Sequence, residues 1–376
     1  MDGNALPAEP PELQAARTFG HSLGVPRLGV GAEAWFRESW RKAAGFGVFE
    51  VLMPDGALDA PTVLSVLEGL GMGCKGGGFP LGLGAHCFGF ASGLLRFGDE
   101  AQKRLLPSLR DGSAIGALAA TEPGAGSDVM SLRTRFRVEG DTCVLTGDKC
   151  FITNAREADW FLVLATKNPR LHYRGVSAFL VPRRAPGVEV GIDEPRMGLH
   201  GCSVGSVGFD EVRVPRSAMV GLSGQGATVF QHALLWERSM LAGFHLGVMR
   251  KQFLASLSYA KVRQQFGRPI GAHQQVATRL VDMLVRYRTS ALLVRETVTR
   301  LVAGVLTAGE ASLTKLYVSE AALASGTDAF RVHGGMGFME GSDVGVELRD
   351  ALGGILYSGT SEIQKVIIAS ELGLAP

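Results

Sequence analysis

One carboxylate in this 376-residue chain stands where carboxylates are costly. Glu237 has Phe230 and Leu234 seven and three residues before it, and Leu241 and Phe244 four and seven after it. On an α-helix those offsets put all five on one face, so the acid interrupts an apolar stripe. A carboxyl deprived of water is expected to have a raised pKa. Poised nearer neutrality, it would suit removal of a proton from a carbon next to a carbonyl. The same helix is apolar on more than one side, so a second reading stands beside the first. Glu237 could be neutralised in a buried ion pair, with its neighbour Arg238 or with an arginine of another helix.

A second group of residues could hold a flat ligand. It comprises Thr121-Glu122-Pro123-Gly124-Ala125-Gly126-Ser127-Asp128 and, further on, Gly147-Asp148-Lys149-Cys150-Phe151-Ile152-Thr153-Asn154-Ala155. Gly124 and Gly126 lack Cβ atoms and admit close approach to the backbone. The hydroxyls of Thr121, Ser127 and Thr153 can donate to ring acceptors, and Phe151 offers a flat face. The alternative is a glycine turn at a helix-to-strand junction, with Phe151 in the core. No spacing of His, Cys, Asp and Glu suggests a metal site.

The elements that must position these groups are legible as patterns. Leu132, Thr134, Phe136 and Val138 alternate with Arg133, Arg135 and Arg137, the period of a strand with one buried face. Glu139-Gly140-Asp141 reads as a hairpin turn and 142–145 as its return strand. Residues 1 to about 12 read as a flexible tail, given Pro7, Pro10 and Pro11. A helical pattern then runs to about residue 115. Leu64, Val66, Leu67 and Leu70 follow Pro61, which suits a first turn. The glycine-rich stretch 71–84 is a helix kink, a pocket wall or a loose connection. A short helix is expected over 99–109, stopped near Asp111-Gly112.

Short β-rich runs follow at 160–166, 176–181 and 188–192, with 212–215 closing what reads as a compact antiparallel β domain. Long helices are expected over 227–263, 271–304 and 309–332. Arg263-Gln264-Gln265-Phe266-Gly267-Arg268-Pro269-Ile270 ends the first, and Gly334-Gly335-Met336-Gly337 breaks the last. The expected fold is mainly α with a central β domain, divided 1–115, 116–222 and 223–376. Strands do not alternate with helices, which argues against a doubly wound nucleotide fold. No GxGxxG follows a strand and no GxxxxGK[ST] occurs.

Composition narrows the classes. A net charge of +2 gives no electrostatic case for nucleic acid. Five cysteines, an odd number with no CxxC pair, fit a reducing cytoplasm. The N-terminus lacks the pattern of a secretory signal, and no apolar run is expected to reach membrane-spanning length.

The stretch 119–155 resembles the flavin-cradling segment of the acyl-CoA dehydrogenase family, and the resemblance covers nearly the whole chain. Within the family it is most similar to the aminoacyl- and acyl-carrier-protein dehydrogenases of specialised metabolism, the prolyl-carrier-protein type among them. The family places its catalytic glutamate in one of two positions. Most members have it between an aromatic residue and Gly-Thr near the C-terminus, where this chain reads Tyr357-Ser358-Gly359-Thr360. A serine cannot act as the base unaided. A minority, the isovaleryl-type and prolyl-carrier-protein enzymes, have it on the long helix before an arginine, where this chain reads Trp236-Glu237-Arg238. The resemblance therefore implies Glu237 as base.

It implies more. The fold would be an N-terminal helical domain, a middle β domain and a C-terminal four-helix bundle. FAD would be the cofactor, contacted by Thr121, Gly126, Ser127, Phe151, Thr153 and Thr360. Arg263, Phe266, Gln274, Gly334 and Gly335 would reach the diphosphate and adenosine of the FAD in a neighbouring subunit, so a homo-oligomer, dimer or tetramer, is implied. Arginine suits a diphosphate because its planar fork binds two oxygens at once. Ser127, Arg238 and Ser358 would face the substrate, and a ribityl hydroxyl with a backbone N–H near Ser358 would hold the thioester oxygen. The activity implied is FAD-dependent α,β-dehydrogenation of an acyl or aminoacyl thioester. Its partners would be a carrier protein or CoA thioester, and an electron-transfer flavoprotein or oxygen as acceptor.

Some positions depart from the family. Arg331 replaces a glutamine, Phe151 a tryptophan, and Leu235 an Asp or Asn common in CoA enzymes. His200 falls at a usual arginine and is read as structural, while Cys202-Ser203-Val204-Gly205 is closer to the carrier-protein branch. Ser361 to Gln364 fits a capping box for the last helix. Alternatives on the same fold are an ordinary short- or branched-chain acyl-CoA dehydrogenase and a flavin oxidase or monooxygenase. A non-catalytic flavoprotein with a nucleic-acid-binding face is a third.

Overall fold

The computed structural model describes residues 6–27, 29–53 and 56–374. Helix α1 (Pro11–Ser22) opens on proline, whose fixed φ suits a first turn. The expected tail is thus shorter than residue 12. Residues 1–5 lie outside the described residues, and those just before α1 are tied down. The Pro7 carbonyl accepts from Arg250 Nη2 at 2.7 Å, and Glu9 pairs with Arg17 at 2.9 Å. Then come α2 (Ala32–Phe46), α3 (Val48–Leu52) and α4 (Ala60–Gly73), the last capped by the Asp59 carboxylate.

The glycine-rich stretch is not a loose connection. After a bend at 74–77, α5 (Gly78–Gly84) runs into a π-helical turn (Ala85–Ala91) and on into α6 (Ser92–Phe97). The run Gly78–Phe97 has mean hydropathy 1.2 and is long and apolar enough to cross a membrane, which corrects the sequence expectation. It is 94% buried inside the protein, so its apolar surface is spent on the core. The helix expected over 99–109 is split into α7 (Glu100–Lys103) and α8 (Leu106–Arg110), because Pro107 starts a new first turn.

The chain then becomes β: β1 (Gly116–Ala119), β2 (Arg135–Glu139), β3 (Thr142–Thr153), β4 (Trp160–Thr166), β5 (Val176–Pro182), β6 (Val188–Asp193), β7 (Val204–Pro215) and β8 (Met219–Val220). The expected hairpin is present, with β2 and β3 in register from Arg135 opposite Thr146 to Glu139 opposite Thr142. Leu132, Thr134 and Phe136 are buried as the alternation requires, and only Val138, at the turn, is exposed. The sheet runs β6-β7-β3-β2-β4-β5-β8. It is mixed rather than antiparallel, because β1 and the first residue of β2 pair parallel to β4. In sequence the β2–β3 hairpin is inserted between β1 and β4, which pair directly and in parallel.

Helices resume with α9 (Gly226–Val262), 37 residues long, and a small ribbon of β9 (Gln264–Gln265) and β10 (Arg268–Pro269). They continue with α10 (Gln274–Val302), α11 (Ala308–His333), α12 (Gly335–Phe338), α13 (Asp343–Gly354) and α14 (Ser361–Glu371). Helix α9 packs backbone to backbone on α4. A Cβ at Gly247 would collide with the Glu68 carbonyl, so only glycine allows that approach. One buried cluster runs from Trp40, Phe79 and Leu67 to Met240, Leu241 and Phe244, and it joins the first helices to α9 without a break.

Candidate active site

Glu237 lies in the first third of α9, with Leu241 and Phe244 buried and Phe230 and Leu234 half-buried on its face. Its carboxylate is gripped on two sides. Oε2 accepts from Ser358 Oγ at 2.8 Å. Oε1 lies against Gly89 in the π-helical turn, where a Cβ would overlap it. Such turns recur at functional sites because the extra residue re-aims the backbone. Burial pushes the Glu237 carboxyl up to about 7, opposed in part by the Ser358 hydrogen bond and the Arg238 charge. Among the described residues Glu237 makes no ion pair. Arg238 is buried and donates Nε–H to the Ser358 carbonyl at 3.0 Å. The ion-pair alternative is therefore not how the acid is held.

Ser358 sits in the left-handed region at φ 53°, followed by Gly359 at φ 93°. Tyr357 just before them bonds through its hydroxyl to His245 Nε2 at 2.8 Å. Burial drives His245 down to about 4, so the imidazole is neutral. The left-handed pair brings Thr360, not Ser361, to the N-cap of α14, where its Oγ1 accepts from the Ile363 N–H at 3.3 Å. The capping box expected at Ser361 is corrected accordingly. Ser361 is buried and donates to Glu320 Oε1 at 2.6 Å.

The glycine loop is held from beneath by a buried pair. Lys149 Nζ donates to Glu122 Oε1 at 2.8 Å and to the Ala120 carbonyl at 3.0 Å. Glu122 also accepts from the Arg133 and Thr134 N–H groups at 2.6 and 2.9 Å. Burial raises the Glu122 carboxyl, but the Lys149 charge and these bonds outweigh it and hold the acid below its usual range. Above this anchor the loop is open. A Cβ at Gly124 or Gly126 would meet nothing within 4 Å, and Ser127 is exposed.

Phe151 is 69% exposed with φ 55°, so it is not a core residue. A register shift between β3 and β7 at Lys149–Ile152 turns it outward. The Cys150 N–H donates to the Thr121 carbonyl at 3.0 Å, which brings Phe151 and the half-buried Thr153 beside the loop. Glu237 is near this face. The Cβ position at Gly89 that overlaps Glu237 lies 3.7 Å from Leu118 Cβ. Leu118 is three residues from Thr121, at most roughly 10 Å of chain.

Other expected residues form a second, separate group. Arg263 and Gln274 are exposed, and Phe266 is 93% exposed with φ 51°. Tyr259 stacks on His333 at 4.6 Å, so the Gly334–Gly335 turn lies at the same end of the bundle. Along α9, however, Arg263 is 26 residues from Glu237, roughly 39 Å at the helical rise. One chain does not bring the two groups together. His200 is half-buried and held low by burial, as a structural histidine would be.

Sequence reasoning missed Gly89, the Glu122–Lys149 pair and the buried Lys315. The last carried a signal of the same form as Glu237. Ala311, Lys315, Val318 and Ala322 follow helical spacing, and all four are buried.

Comparison with known proteins fits this geometry. Residues 117–212 match the family model described as acyl-CoA dehydrogenase, middle domain, and residues 224–373 match acyl-CoA dehydrogenase, C-terminal domain. An L-prolyl-[peptidyl-carrier protein] dehydrogenase of Pseudomonas fluorescens is 38% identical over 319 residues, 84% of each chain. The crystal structure of the prolyl acyl carrier protein oxidase AnaB superposes with a TM-score of 0.90 at 33% identity, covering 96% of this chain and 99% of that one. The structure of PigA with FAD and proline gives 0.89 at 32% identity, covering all of both chains.

Proposed function

Because the chain belongs to the acyl-CoA dehydrogenase family, we propose that it is an FAD-dependent oxidoreductase that removes hydrogen across the α,β bond of an acyl or aminoacyl thioester, with Glu237 as its base. The residues fit the cofactor. An exposed aromatic face at Phe151, hydroxyls at Thr121, Ser127 and Thr153, and a glycine loop with no Cβ in the way form a cradle for a flat ring. When bound, FAD supplies the two-electron acceptor for the β hydrogen, which leaves as hydride.

The chain's own residues handle the proton. Glu237 Oε1, beside Gly89, takes the α proton, while Ser358 Oγ holds Oε2 and fixes the carboxylate plane. A base near neutrality is deprotonated at working pH yet strong enough to accept a proton next to a carbonyl. The turn at Ser358 and Gly359 offers backbone N–H groups to a thioester oxygen, whose charge grows as the proton leaves. Arg238 supports that turn from below.

The observation that carries this reading is the placement of Glu237: its carboxyl pushed up to about 7 by burial, gripped by Ser358, and set against Gly89 next to Leu118 on the strand that leads into the glycine loop. Its test is Glu237→Gln. The variant is expected to keep bound flavin and to lose substrate-dependent bleaching, with turnover down by roughly 10²–10⁴. Unchanged turnover would refute it.

A carrier-protein thioester is the preferred substrate, and the similarity to prolyl-carrier-protein enzymes together with Ser358 in the usual glutamate position supports it. Matched CoA and carrier-bound substrates decide the point, and a preference for CoA would sink it. Because Arg263 and Glu237 are so far apart, the diphosphate contacts of each site are assigned to a second copy of the chain, making it at least a dimer. Five cysteines, all free, support a cytoplasmic setting. Direct use of oxygen is a second reading, favoured by the resemblance to a named oxidase. Peroxide formed in step with product, without another acceptor, would establish it.

A further inference from the structure

We infer that Lys315, acting with Gln364, is a positioning residue for the base, because it fixes the left-handed turn that carries Ser358. The inference rests on Glu237 being that base. The turn needs support. A serine at φ 53° pays for a conformation that side chains avoid, and it persists only where its surroundings over-determine it.

Three side chains from three helices supply that support. Arg238 on α9 donates to the Ser358 carbonyl at 3.0 Å. Gln364 on α14 donates to the same carbonyl at 3.2 Å and to the Gly359 carbonyl at 2.8 Å. Lys315 on α11 donates to the Gly359 carbonyl at 2.8 Å. Two consecutive carbonyls thus receive four hydrogen bonds, which orient the peptide planes and with them Ser358 Oγ.

The choice of lysine is costly. Lys315 is 5% exposed and, among the described residues, forms no ion pair. Burial and the nearby Arg238 charge pull its ammonium down to about 8, and the opposing charges of Glu320 and Glu362 do not offset them. A buried cation held by a single carbonyl is a poor device for stability alone. It is an effective one for pinning a carbonyl, because a charged donor makes a stronger and more directional bond.

Lys315 does not touch Glu237. The groups acting on that carboxyl are its own burial, the Ser358 hydroxyl and the Arg238 charge, and Tyr357 is the other titratable group facing it. Lys315 itself faces Arg238, His245, Glu320 and Glu362. Lys315 and Glu237 do line one small cavity, so the neutral Gln364, which bonds the same carbonyls, separates the effect of the turn from that of the lysine charge.

The test is a pH titration of the Glu237 carboxyl by infrared spectroscopy in the flavin-loaded protein without substrate, with the band assigned by its loss in Glu237→Gln. Ser358→Ala should move the midpoint upward, since the hydroxyl favours the charged form. Lys315→Met should move it upward as well, and the double variant should move it no further than Ser358→Ala alone. An upward move of one pH unit also lowers the rate roughly tenfold on the acid side. Lys315→Arg, which keeps a donor, should recover part of the shift. Gln364→Met removes uncharged donors to the same carbonyls and must give an upward shift too, whether or not Lys315→Met folds. A midpoint unmoved in the lysine or glutamine variant, with only the melting temperature lowered, overturns the inference and leaves the base assignment standing. Turnover surviving in Glu237→Gln overturns both.

Discussion

At the scale of single residues, the proposed chemistry depends on the proton affinity of one acid. Glu237 is raised to about 7 by burial, and as the proposed base it must be ionised to work. Turnover is therefore expected to rise with pH through a limb near 7 and to level above it. The same shift has a stability consequence of definite sign. In the unfolded chain a glutamate titrates near about 4.3. As pH rises from there to about 7, the unfolded state releases its proton first and the native state loses stability. That loss is complete above 7, where the acid costs on the order of 3 kcal/mol. Glu237→Gln should accordingly melt higher than the parent at pH 8, with the difference gone at pH 4. A melting difference that did not change with pH would mean the acid is solvated.

The next scale is that of elements, where small residues and buried pairs set the geometry. The π-helical turn presents Gly89 to the carboxylate with no room for a methyl group. Gly89→Ala should push the acid off its line. Activity should fall by about tenfold or more, an effect familiar when a catalytic group is displaced by about an ångström, while flavin absorbance is kept. The glycine loop depends on Lys149 and Glu122 in the same way. Lys149→Met leaves a buried carboxylate unpaired, and removing one partner of such a pair costs about 3–5 kcal/mol. Chemical denaturation should show that loss, together with weaker flavin retention, because the anchored loop is the proposed cradle.

The whole molecule poses a different problem, since Glu237 lies in the first third of α9 and Arg263 just past its last residue, roughly 39 Å away. If Arg263 serves the site of a second copy, two inactive variants should rescue each other. In a mixed dimer of Glu237→Gln and Arg263→Ala, one site joins the intact Glu237 of one chain to the intact Arg263 of the other. Co-refolded mixtures should regain part of the parent activity, whereas each variant alone stays inactive. No recovery would place both groups in the service of one chain. The exposed Phe266 and Phe338 near that end are the kind of surface such a contact would cover.

Much of this protein was readable in its residue order. Long helices, the β2–β3 hairpin and the succession helical, β, helical follow from local periodicity, which depends only on near neighbours in the chain. The apolar stripe around Glu237 likewise announced a desolvated acid before any contact was known. Local pattern could not decide what the acid would meet. Ser358 approaches from 121 residues away and Gly89 from 148 the other way, and whether a buried carboxylate becomes half of an ion pair or an unpaired base depends on which chain segments fold against it. The same limit applies to the turn at 357–360, whose left-handed serine is fixed by donors on three separate helices. It applies also to Phe151, which a register shift turns outward. Periodicity assigns a side chain to a face, and only the packing of distant segments determines what lies opposite.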